Sequence, residues 1–331
     1  IFSQSLFSIS NIKKSVRKMI DEKIENFLNA PLDSISFGEI SKSKIKDETF
    51  IYWGEEPVGK LKKGKSIYKP TADSLNSEYL SSENKLMVSA KLQKWIDNHI
   101  SDTLHPLILN LEENINSDIR AIAFNCLENF GNYPIENFKN DLKKITKESK
   151  LQLSKLGVRI GAKYFFTPSM LKKKPLELSA ILWKTYYQYE INEYLPLPLN
   201  GRVSFTSEIK MPDNYWQSIG YIKINNFLFR IDVFEKIFFI ARQKMKKGPF
   251  LESSDLMNPI GCNSDQLKDI MIYCGYDYLT ISDQKKLFFL ANKKKVTKKF
   301  KKNNSNTRIN KKNDKNKIKK DPNSPFAVLE K

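Results

Sequence analysis

Two stretches of this chain pass through the same succession of signals. In "YWQSIGYIKINNFLFRI", Tyr215 to Ile231, helical spacing gives way to Gly220-Tyr221 and then to two apolar runs around Asn225-Asn226. About 55 residues later, "LKDIMIYCGYDYLTISDQKKLFFL" shows helical spacing up to Cys274, then Gly275-Tyr276, then a second pair of runs rich in Tyr, Leu and Phe. Glycine stops a helix because it enters the left-handed region without a Cβ clash. Asn-Asn between two apolar runs marks a hairpin turn. Helix-then-hairpin units of this order occur in winged-helix-like modules, although two copies are too few for a repeat array.

The rest of the chain is mostly helical in pattern. Residues 11–29 place Val16, Met19, Ile20, Ile24, Phe27 and Leu28 at helical intervals, and Pro31 ends that run. Residues 35–69 read as β, with "TFIYW" and "VGKL" either side of "GEEP" and "ISFGEI" as a third short strand. From Ser82 a long helix is expected, kinked at Pro106. A second follows, capped by Ser117 or Asp118 and stopped by Gly131. "PIENFKNDLKKITKESKLQLSKLG" reads as one amphipathic helix ended by Gly157, and another begins near Pro175. The expected fold is mainly α with small β-hairpin units, an α+β class. Its segments are a helical connector over 1–34, a small β unit over 35–81, a helical domain over 82–200 and two helix-hairpin units over 201–291.

Charge separates off the last segment. The net charge is +19, and residues 292–320 hold thirteen Lys and one Arg against Asp314, leaving +6 for all other residues. Apolar residues nearly vanish there, so 292–331 reads as a disordered basic tail, with "SPFAVLEK" at its end as a docking segment. The first residue is Ile1, and the expectation is a helix continuing from an upstream segment. No run approaches the ~20 apolar residues that span a bilayer. Three scattered cysteines, Cys126, Cys262 and Cys274, without C-x-x-C point to reduced thiols in a cytosolic compartment and against zinc.

"VGKLKKGKS" fits the phosphate-loop pattern G-x-x-x-x-G-K-[ST] at Gly59, Gly64, Lys65 and Ser66. A working phosphate loop opens a helix whose N–H groups hold the phosphates. Pro70 and "IYKPTADS" read instead as extended chain, so a strand-turn segment is expected. Adjacent carboxylates such as Glu55/Glu56 diverge on a strand or helix, and His99 and His105 point in different directions on one helix. No catalytic residue and no cofactor site is assigned to this chain.

"GVRIGAKYFFTPSMLKKKP" brings Arg159, Lys163, Tyr164, Phe165, Phe166 and Lys172 to Lys174 close together. Such mixtures grip phosphates and stack bases. The competing reading puts the Phe residues in the core and the Lys residues in water. Arginine is scarce, seven against forty-nine Lys, and Arg159, Arg202 and Arg230 each stand beside Gly or aromatic residues. The nucleic-acid-binding candidates are therefore Arg159, Lys163, Arg202, Arg230, Lys172 and Lys173.

"LGVRIGAKYFFTPSMLKKKPLELSAILW", "GRVSF", "YWQSIGY…FRIDVFEKI" and "IGCNSDQLKDIMIYCGYDY" resemble the C-terminal region of a bacterial superfamily-two ATP-dependent helicase related to the mitochondrial degradosome RNA helicase. "IYWGEEPVGKLKKGKSIYKP", "KLQKWIDNHISDTLHPLILNL" and "DPNSPFAVLEK" are similar to further parts of that region, so the likeness covers most of 35–291 and the last eleven residues. It implies that ATP and Mg belong to a motor upstream in the same polypeptide and that this piece guides RNA or DNA leaving it. The motor's phosphate loop, acidic magnesium motif and arginine finger are absent from this sequence. The alternative is a protein-interaction scaffold docking a nuclease or ribosomal partner. A third reading, a free-standing ATPase, would use Gly64, Lys65 and Ser66. The expected location is cytoplasmic, with no membrane partner.

Overall fold

The computed structural model describes residues 2–38, 47–75, 80–108, 115–191, 194–199, 201–281 and 285–290. The expectations placed on 292–331, including the terminal "SPFAVLEK", lie outside the described residues.

The fold is α+β. Helix α1 (Phe2–Asn29) leads into a four-stranded antiparallel meander, β1 (Ile35–Phe37), β2 (Phe50–Trp53), β3 (Glu56–Ser66) and β4 (Lys69–Ser74). Helix α2 (Ser82–Ile108) covers this sheet through the buried Val88, Leu92, Trp95 and Ile96. Pro106 stands in its last described turn. His99 stacks on Trp95 at 5.2 Å between ring centroids, a packing role.

The phosphate-loop pattern lies inside β3. Ser66 pairs with Lys69 across a tight turn, and β4 follows where a phosphate loop would need a helix. Gly64 is required by packing, since a Cβ there would lie 1.8 Å from the Lys69 carbonyl oxygen, at an irregularity in the β3–β4 register. Gly64→Ala is therefore expected to cost about 2 kcal/mol or more. Lys65→Ala, on an exposed side chain, should stay within about 0.5 kcal/mol. Urea unfolding of the two variants checks this.

Beyond α2 the chain repeats one topology three times. The first unit is α3 (Ser117–Glu128), β5 (Tyr133–Pro134), α4 (Lys139–Leu142), α5 (Lys147–Lys155), β6 (Arg159–Ile160) and β7 (Tyr164–Phe166), with sheet order β5-β7-β6. The second is α6 (Lys173–Tyr187), β8 (Ser204–Thr206), α7 (Asp213–Ser218), β9 (Tyr221–Ile224) and β10 (Phe227–Arg230), ordered β8-β10-β9. The third is α8 (Ile231–Lys246), β11 (Phe250–Leu251), α9 (Ser254–Met257), α10 (Ser264–Cys274), β12 (Asp277–Thr280) and β13 (Lys286–Phe289), ordered β11-β13-β12. In each, a helix enters a strand, a last helix precedes a hairpin, and the entering strand pairs with the hairpin's second strand. The first and third units have the full winged-helix order, and the second lacks its middle helix. Gly157, Gly220 and Gly275 all take positive φ, at 80°, 76° and 93°, between last helix and hairpin. The two units read in the sequence are thus the second and third of three.

Two expectations need correction. The run from Pro134 to Gly157 is not one helix. It opens as a 3-10 turn, continues as the one-turn α4 and breaks, because the Thr146 hydroxyl accepts the Ser149 N–H at 3.1 Å and caps a new helix, α5. Helix α3 is entered from Asn116, one residue before the expected cap.

One core joins α1, the meander, α2, α6 and α7, so it crosses the segment boundaries read at 34, 81 and 200. A second fills the third unit and the face of β10. A third belongs to the first unit, where Ile119, Ile122 and Cys126 of α3 meet Leu153 and Leu156 under α5. Each such leucine contributes about 2 kcal/mol by leaving water. This small private core holds α5 in place and leaves its opposite face free.

Candidate nucleic-acid interface

The predicted residues fall into two groups. Lys173, Arg202 and Arg230 line one small cleft of about 40 Å³ with Glu177 and Tyr221, next to the exposed Lys172. Its charges are largely answered. Arg230 directs its planar fork at Asp232, with Nε–Oδ1 at 2.7 Å and a second bond at 3.0 Å, so its bidentate face is already engaged within the chain. Lys173 lies 4.0 Å from Glu177, whose carboxyl is pushed up by burial against the pull of that lysine. Arg202 is exposed, and its carbonyl accepts the Tyr221 hydroxyl at 2.7 Å.

Arg159 and Lys163 belong to the hairpin of the first unit. Arg159 is exposed on β6, opposite Phe166. Lys163 sits at the hairpin turn with its ammonium 5.8 Å from the Tyr273 ring and 5.9 Å from that of Phe238. Phe165 and Phe166 are buried in the core and available to no base. At this turn the Glu235 carboxylate of α8 accepts the N–H groups of Ala162, Lys163 and Tyr164, the last two at 2.8 Å each. Burial pushes the Glu235 carboxyl up, against the three N–H groups that favour its ionised form.

Arg159 also borders a feature that periodicity in the sequence did not single out. Residues 1–291 carry +7, from 41 basic and 34 acidic residues. The 21 residues from Lys139 to Arg159 hold seven basic and two acidic, or +5 of that. Here α4, the Thr146 turn, α5 and β6 form a helix–turn–helix followed by a strand. Ser149, Leu153 and Leu156 face inward, and Lys147, Lys150, Leu151, Ser154 and Lys155 face water at helical spacing, with Glu148 exposed beside them. Lys143 and Lys144, both exposed, stand in the turn before α5. Among the described residues no ion pair engages Lys143, Lys144, Lys147, Lys150 or Lys155.

The equivalent helices of the other units lack this character. Tyr215, Trp216 and Ser218 bury α7 in the first core. On α10, Asp265 and Asp269 answer Lys268 at 3.7 and 3.8 Å, Asp265 also meets Lys286 at 2.8 Å, and Ile272 and Tyr273 are exposed. The signal that would have found α5 was Thr146 as a helix cap, which splits the lysines between two helices and sets them on one face.

The three cysteines are free and buried, and burial pushes the thiols up, to about 12 for Cys126 and about 11 for Cys262. They are thiols rather than reactive thiolates. Among the described residues no cluster of His, Cys, Asp and Glu is arranged to hold a metal, and no helix is long and apolar enough to cross a membrane.

No protein-family model, curated protein or solved structure matches this chain.

Proposed function

We propose that this chain is a nucleic-acid-binding accessory region of three winged-helix-like units, cytoplasmic, acting beside an ATP-driven helicase motor in the same polypeptide. The observation that carries the binding role is the concentration of unpaired positive charge on α5 and its flanks, on the one last-helix face that is both free and basic. A lysine field of this kind captures RNA or DNA by displacing its condensed counterions. ATP and Mg would belong to the motor. The Arg159 guanidinium extends the field, and Lys172, Lys173 and Arg202 form a weaker second patch.

Reversing charge on the face tests this. Lys150→Glu with Lys155→Glu in the full chain should lower affinity for a mixed-sequence oligonucleotide at least tenfold at about 100 mM salt. Fluorescence anisotropy reads it. Equal affinity for the variant and the parent would end the assignment to this face.

A second reading, a scaffold for a nuclease or ribosomal partner, draws on the third unit. Leu251, Leu287 and Leu279 form a row across its sheet, and Leu251 and Leu279 are exposed. Row leucines exchanged for serine would weaken capture of a protein partner and leave oligonucleotide binding unchanged.

A further inference from the structure

The side chains on the outward face of α5 indicate which part of a nucleic acid it takes. Planar side chains, those of Arg, Asn and Gln, fix a base edge through a rigid pair of hydrogen bonds, whereas Lys and Ser reach base atoms without a planar fork. Single strands are held by stacking bases on aromatic rings. The outward positions Lys147, Glu148, Lys150, Leu151, Ser154 and Lys155 supply neither a planar reader nor a ring. The one amide on the helix, Gln152, is half-buried, and its Oε1 accepts the Asn116 N–H at 3.1 Å. What remains is three ammonium groups on flexible stems, with the Glu148 carboxylate among them, a set that suits phosphate oxygens better than the fixed pattern of a base edge.

The turn of this unit's hairpin is withdrawn from such a ligand. Successive N–H groups in a turn form an anion-binding nest. Here the nest at Ala162, Lys163 and Tyr164 is filled by the Glu235 carboxylate, and Lys163 lies over rings of the third unit. Contact is left to α5, the Lys143–Lys144 turn and Arg159. Helix α5 has nine residues, and at 1.5 Å per residue it is about 13 Å long. A duplex presents phosphates already fixed in rows, so a rigid helix meets several at once. A single strand must be ordered to do the same, and no ring on the stripe offsets the entropy lost.

Resting on the binding role proposed above, we infer that α5 grips the phosphate backbone of a duplex without reading its bases. The test is anisotropy on the full chain with duplexes of two unrelated sequences, each as DNA and as RNA, and with their separated strands. The variant is Lys147→Gln, Lys150→Gln, Lys155→Gln. For the parent, the two sequences should bind within about twofold of each other. On duplex, the variant's plot of log K against log salt should be shallower by about 2.7, since three phosphate contacts are lost. On single strands its affinity should change less than about threefold. DNA and RNA duplexes present the same phosphate chemistry, and whichever binds more tightly identifies the source. An equal or larger loss on single strands, or a tenfold preference between the two sequences, would overturn the duplex-backbone inference while leaving the interface in place. Unchanged binding to every probe would remove α5 from the interface and the proposed function with it.

Discussion

Lys184→Met is expected to cost the fold about 3–5 kcal/mol, because it leaves a buried carboxylate without its counter-charge. Lys184 is buried on α6, with its ammonium 2.6 Å from Glu48 and 3.2 Å from Asp47. Glu48, also buried, accepts the Leu195 N–H at 2.6 Å with its other oxygen. Asp47 reaches further, to Lys60 of β3 at 2.8 Å. The network thus ties the entry to β2, the β3 strand, α6 and the chain at Leu195 to one another. Adding Glu48→Gln to the variant should recover most of the loss, since the amide keeps an oxygen for Leu195 and carries no charge. Chemical unfolding of parent, single and double variants checks both statements. If the single variant loses less than about 1 kcal/mol, the network is not holding these elements together.

The same network sets an acid limit. Burial by itself would push the Asp47 carboxyl up, but the Lys60 hydrogen bond, the Thr49 hydroxyl and N–H, and the charge of Lys184 outweigh it and hold the group at about 2. A carboxyl depressed in the folded state contributes stability above its unfolded value, near 3.8, and loses it as the pH falls through the folded one. Stability should therefore decline between about pH 4 and 2. In Asp47→Asn this part of the decline should be flattened.

The second large effect is expected at Gly161. A Cβ there would lie 2.4 Å from the Glu235 carboxyl carbon and 2.7 Å from the Tyr164 carbonyl oxygen. Gly161→Ala must expel Glu235 from its three N–H partners, at a cost of about 2–4 kcal/mol for charged hydrogen bonds lost in a buried setting. Glu235→Ala should cost a similar amount. The double variant should cost clearly less than the sum, because both changes break one contact. Full additivity, measured by urea unfolding, would show that Gly161 and Glu235 act separately. Oligonucleotide binding of whatever fraction remains folded should persist, since α5 rests on a different core.

Local signals in the sequence were enough for much of this. Gly220-Tyr221 and Gly275-Tyr276 announced two hairpins because a left-handed residue after a helix favours glycine whatever surrounds it. The first unit escaped for a local reason too. Val158 follows its Gly157, and its strands β6 and β7 run only two and three residues, too short for alternation to register. The phosphate-loop pattern was legible as a strand-turn segment from Pro70 and the extended pattern of "IYKPTADS".

The candidate residues needed more than local information. Arg159 was found beside its glycine, but the lysines of α5 read as the polar side of one long helix until Thr146 divided it. Only the packed structure decided which cations are free. Arg230 is taken by Asp232 at two residues' distance, Lys163 lies over rings from the third unit, and α5 keeps Lys147, Lys150 and Lys155 in water. The sequence determines where helices stop and hairpins turn, because those depend on backbone sterics within a few residues. Which charges are answered depends on carboxylates far along the chain, such as Glu48 for Lys184 across 136 positions, and those meet only when the cores close.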